Sequence, residues 1–206
     1  MQADWSVILS TIATGAAGLI LAFFAGTTSA VKAWFKRRTT RKTYGEQMGR
    51  YGAFTEELEA LKSIKPVDQV VVLRGHNCGG LPNPGKPYTV HAIQGWQRCE
   101  AGGPCLDPTK RFQRGLQVDA HYARMLEDVV KQGVSIQVFE KMPAEARLRG
   151  YFELDGVRTA HLYFLGLHDD ELIFVSVASK TDFDTRQILE INDRVTGMRS
   201  IIGSEE

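Results

Sequence analysis

The chain has 206 residues, 43% of them hydrophobic and 24% charged, fractions that exclude wholesale disorder, collagen-like repeats and a disulfide scaffold. Its formal net charge of +1 hides a segregation: residues 1–42 carry six basic side chains against the single acid Asp4, leaving 19 basic and 23 acidic residues in 43–206. An acidic globular part argues against nucleic acid as a partner, because that partner demands cations to displace the counterions of its phosphates.

Residues 1–6 form a short N-terminal tail. Val7–Gly26 (VILSTIATGAAGLILAFFAG) then runs without a charged side chain. Twenty helical residues rise about 30 Å, the thickness of a bilayer's hydrocarbon core, so 7–26 is expected to be a transmembrane helix. Trp5 and Trp34–Phe35 stand where interfacial aromatic residues belong, and a basic juxtamembrane segment occupies 27–42. A cleaved signal peptide is disfavoured because Met1–Trp5 has no basic residue and carries Asp4. The charge bias predicts a single-pass inner-membrane protein, N-terminus out, with its C-terminal domain in the cytoplasm and the lipid bilayer as a partner.

Ser10, Thr14, Gly18, Ala22 and Gly26 recur every four residues and therefore share one face of that helix. Small residues at this spacing let two backbones approach, which predicts a homo-oligomer formed through the membrane helix.

Beyond the membrane the periodicities alternate between helix and strand. Tyr44, Met48, Tyr51, Phe54, Leu58 and Leu61 mark an amphipathic helix over 43–62. Gln69–Arg74 (QVVVLR) reads as a buried strand, and Tyr88–Ile93 as a second. Between them Gly75–Pro87 holds four glycines and three prolines, the composition of a loop, and another loop extends to about Phe112. Val118, Tyr122, Met125 and Val129 predict a helix capped by Gly133, and Val134, Ile136 and Val138 a half-buried strand. A short helical turn follows Pro143. Strands at Val157–Leu165 and Glu171–Ala178 should pair as a hairpin, and a final helix is expected over Asp184–Ile202, opened by an Asp184/Gln187 capping box. The fold class is α+β, with an antiparallel sheet flanked by helices.

Gly156–Val157–Arg158–Thr159–Ala160–His161–Leu162–Tyr163–Phe164–Leu165, a turn, LIFVSVASK, and Phe183 ahead of the last helix together resemble the C-terminal half of a GAF domain. The upstream order of elements is similar to that fold, so the resemblance covers about 43–203. His76–Asn77–Cys78–Gly79–Gly80 after a strand also resembles the H-N-G-G run of membrane-anchored GAF-like proteins of phages and bacteria. The resemblance implies a sensory or interaction module holding a small molecule between sheet and helices. The chain departs from the cyclic-nucleotide class, with Ser179–Lys180 before Phe183 in place of an Asn-Lys pair, and from the tetrapyrrole class, since His121 has no adjacent Cys.

His76, Asn77, Gly79 and Gly80 are candidate ligand-binding residues: an imidazole and an amide both donate and accept hydrogen bonds, and glycines let backbone N–H groups approach an anion. Tyr122, on the helical stripe, and Arg158, a cation for a phosphate, complete that set. No metal site is expected, because His76-x-Cys78 and Cys99-x₅-Cys105 lack the tight C-x₂₋₄-C spacing of structural zinc. In a cytoplasmic domain the cysteines should be reduced thiols, whereas the opposite topology would allow a Cys99–Cys105 disulfide. No nucleophile-and-base motif is present, so an enzyme is not expected. Three functions remain: a sensory or interaction module coupling a small ligand or protein partner to the membrane helix; an oligomeric membrane effector in a phage or antiphage setting; and a structural partner in an envelope or virion assembly.

Overall fold

The computed structural model describes residues 43–76, 87–99, 107–112, 115–168 and 170–203. The expected membrane helix 7–26, its small-residue ladder and the basic segment 27–42 lie outside these. Among the described residues no helix is long and apolar enough to cross a membrane. The chain divides into two compact units, 1–51 and 52–206.

Helix α1 covers 43–63. Tyr44, Met48 and Tyr51, in the first unit, are exposed, whereas Leu58 and Leu61, in the second, are fully buried. The second unit continues with strands β1 (Gln69–His76) and β2 (Thr89–Gln97), the short helix α2 (Pro108–Phe112), strand β3 (Leu116–Gln117) and helix α3 (Ala120–Gln132). Strand β4 (Val134–Val138), helix α4 (Arg147–Asp155), strands β5 (Thr159–His168) and β6 (Glu171–Ser179) and helix α5 (Thr185–Ile202) complete it. The six strands form one sheet in the order β3-β2-β1-β6-β5-β4, every neighbouring pair antiparallel.

Alternation along the central strands sends apolar side chains to both faces, and both are covered. Val71, Leu73, Leu162 and Phe174 meet Tyr122, Met125 and Val129 of α3 and Leu148 and Phe152 of α4. On the opposite face Val70, Val72, Val175 and Val177 meet Leu58 and Leu61 of α1 and Ile191, Val195 and Met198 of α5. A sheet covered on both faces reads as near-continuous β-branched runs, which is why QVVVLR lacks a polar face.

Local chemistry fixes the helix ends. The Asp184 carboxylate accepts the Gln187 N–H and the Gln187 side chain accepts the Asp184 N–H, both at 2.8 Å, so the expected capping box is present. Gly133 ends α3 with φ of 80°, a left-handed conformation that glycine adopts without a Cβ clash. The helical turn expected after Pro143 is the two-turn helix α4, closed by Gly156 at φ of 62°.

Candidate ligand-binding groove

Helix α3 is held at its N-terminal end. Asp119 caps it by accepting the Tyr122 N–H at 2.8 Å, and its other carboxylate oxygen accepts the Arg147 N–H of α4 at 2.9 Å. Burial would raise the Asp119 carboxyl, but these backbone donors outweigh it and hold the pKa below the ordinary carboxylate range. One side of the anchored helix faces the β5–β6 hairpin, whose two strands register His168 against Glu171 next to Asp170, a residue at φ of 63°.

Between α3 and that hairpin lies a groove of about 400 Å³. Its walls are apolar: Ala123, Leu126 and Val130 of α3, Leu167 and Leu172 of the hairpin, and Tyr88 and Val118 at one end. Val130 is 50% exposed and Leu167 59%, a surplus of apolar surface that the rest of the second unit's core does not cover. The polar rim consists of Glu127, Lys131 and Asp170. Glu127 and Lys131, one helical turn apart, are ion-paired; the hydrogen bond from Lys131 keeps the Glu127 carboxyl below its usual range.

A β-bulge delivers Leu167 to this groove. Up to Phe164 each β5 residue faces its β6 partner in step, then the register shifts and Gly166 opposes Ile173 while Leu167 opposes Leu172. One inserted residue reverses the phase of the strand, so Leu167 emerges on the α3 side; uninterrupted alternation from Leu165, which packs on the α5 side, would have sent it the other way. This is the determinant that a period-two reading of the sequence misses.

The interior between the sheet and α4, one of the spaces between sheet and helices where the family resemblance implies a ligand, is filled. The space bounded by Val71, Tyr122, Tyr151, Phe152 and Leu162 amounts to about 30 Å³, room for roughly one water molecule. Tyr122 itself is 2% exposed, and burial pushes its hydroxyl pKa upward, so it serves as a core side chain.

The sequence-derived candidates do not converge. His76 ends β1, stacked on His91 of β2 with ring centroids 4.8 Å apart, and its Nε2 lies 3.5 Å from Thr89 Oγ1. Arg158 lies before β5, paired with Asp182 at 3.2 Å and with Glu140 at 3.7 Å. Asn77, Gly79 and Gly80 are outside the described residues. His121 is engaged by Gln137, whose Oε1 lies 3.1 Å from its Nε2, while Gln137 Nε2 donates to Ser135 Oγ at 2.9 Å. Among the described residues no group of three His, Cys, Asp or Glu side chains is arranged to hold a metal ion. Cys99 is disulfide-bonded, in contrast to the reduced thiol expected in a cytoplasmic domain.

No family model matches the chain, and no curated protein matches it. Solved structures do. A far-red cyanobacteriochrome photoreceptor aligns with a TM-score of 0.52 at 9% identity, over 84% of this chain and 98% of its own. The GAF domain of a two-component sensor histidine kinase from Bacillus halodurans gives 0.50 at 10% identity, over 74% and 92%. The third GAF domain of Slr1393 from Synechocystis sp. PCC6803, in its photoproduct state, gives 0.50 at 10% identity, over 75% and 94%. The fold of the chain is therefore that of a GAF domain.

Proposed function

We propose that the protein is a membrane-anchored, non-catalytic sensory module that takes a small, largely apolar ligand in the groove between α3 and the β5–β6 hairpin. The observation that carries this reading is the groove itself: about 400 Å³ of apolar wall with a few polar groups at the rim, within the range of small-molecule sites. The GAF fold supports the sensory role by analogy alone. The filled interior supports placing the ligand at the groove rather than between sheet and α4. Segment 7–26 would anchor the chain, its small-residue ladder would bring copies together, and the residues that follow it in the sequence would link the anchor to the folded unit. A ligand would act on the assembly only to the extent that it prefers one of its states.

The test is saturation-transfer NMR on the full chain in phosphatidylcholine nanodiscs, using the neutral probe 4-phenyl-1-butanol with empty discs as the blank. Val130→Glu places a carboxylate on the apolar wall at a half-exposed position. Transfer to the probe is expected in the native chain and should vanish in Val130→Glu while the melting temperature stays unchanged. Equal transfer in both would contradict the assignment of the groove.

For the orientation, the basic segment 27–42 supports a folded unit on the cytoplasmic side.

A further inference from the structure

The reading of the groove as a ligand site leaves open the chemistry of the ligand's polar end, and the rim charges address it. Lys131 is the cation of the rim, and it is neutralised locally by Glu127 on the preceding turn. Glu171, whose charge reaches Tyr88, is likewise matched by Arg74 at 3.3 Å. Asp170 is different. It lines the groove, is exposed, and among the described residues forms neither an ion pair nor a hydrogen bond. Its φ of 63° sets it at the tip of the hairpin, immediately before the strand that supplies Leu172.

Among the described residues the groove therefore has apolar walls and, in Asp170, an uncompensated negative charge at its mouth. We infer that it binds a cationic amphiphile, an amine-bearing molecule whose apolar body lies against Leu126, Val130, Leu167 and Leu172 and whose ammonium group meets the Asp170 carboxylate. An anionic amphiphile would set its charge against Asp170, with Lys131 already engaged by Glu127. A neutral one would gain the apolar contacts alone.

This inference rests on the groove reading, and the experiment separates the two. Three probes of matched size, 4-phenylbutylamine, 4-phenyl-1-butanol and 4-phenylbutanoate, are titrated into the full chain in phosphatidylcholine nanodiscs, with empty discs as blank. The amine should bind about two- to fivefold tighter than the alcohol, the size of effect a rim ion pair gives, and the acid weakest. Asp170→Asn keeps a residue that tolerates the left-handed conformation and removes the charge. It should bring the amine down to the alcohol's affinity and leave the alcohol unchanged. Equal affinity of amine and alcohol, or an amine preference that survives Asp170→Asn, would overturn the charge assignment while the groove stands. Failure of all three probes to bind would overturn the groove and the inference together.

Discussion

His161, on β5, is 4% exposed, with its Nδ1 3.2 Å from the Tyr163 hydroxyl and its ring edge-on to Phe183 at 5.1 Å. Burial disfavours the charged imidazolium and lowers the pKa below the ordinary 6.5. In the unfolded chain the ring takes its proton at a higher pH than in the folded one. Stability is therefore intact above pH 6.5 and falls as the pH drops below it, until the folded-state value is reached, at up to about 1.4 kcal/mol per pH unit for one proton. Urea denaturation of the native chain and of His161→Gln over roughly pH 5 to 7.5 checks this, with the window set by the ordinary histidine value. The native chain should lose stability relative to the variant as the solution is acidified. A difference that stays flat with pH would show that the ring is no more shielded in the fold than in the unfolded chain.

At the level of elements, most of the fold was legible because each element is governed by its own residues. The Asp184/Gln187 box, the Gly133 cap and the continuous runs QVVVLR and LIFVSVA act over a few positions, and periodicity or side-chain chemistry reports them directly. Where the reading fell short, distant partners decide. The sequence pattern ends β2 at Ile93, but the strand continues to Gln97, because opposite Val72 and Leu73 of β1 the pairing skips Ile93 of β2, leaves it 55% exposed and resumes beyond it. The two-residue strand β3 exists because Val90 and Thr89 supply its partners, and no period can be read from two residues. The groove is hidden for the same reason. The bulge that turns Leu167 towards α3 depends on the pairing of β5 with β6, and the vacancy beside Val130 depends on where α3 lies over the sheet. Composition pointed to the glycine-rich loop instead, since loops rich in glycine announce themselves and apolar surplus does not.

For the whole molecule, two questions matter: which side of a membrane the folded unit occupies, and where its ligand sits. Labelling intact cells with a membrane-impermeant maleimide, before and after reduction, addresses the first. A Cys99 thiol that becomes reactive only after an external reductant places the unit outside; no labelling without permeabilisation places it in the cytoplasm, as the basic segment 27–42 predicts. The second question bears on the central claim, and methyl NMR of the full chain in nanodiscs tests it most directly. On titration with 4-phenylbutylamine, the methyl signals of Leu126, Val130, Leu167 and Leu172 should shift together, with Leu148 of α4 and Leu162 of β5 unmoved. Shifts centred on Leu148 and Leu162 would mean that the filled interior opens to receive the ligand, and the groove would not be the site.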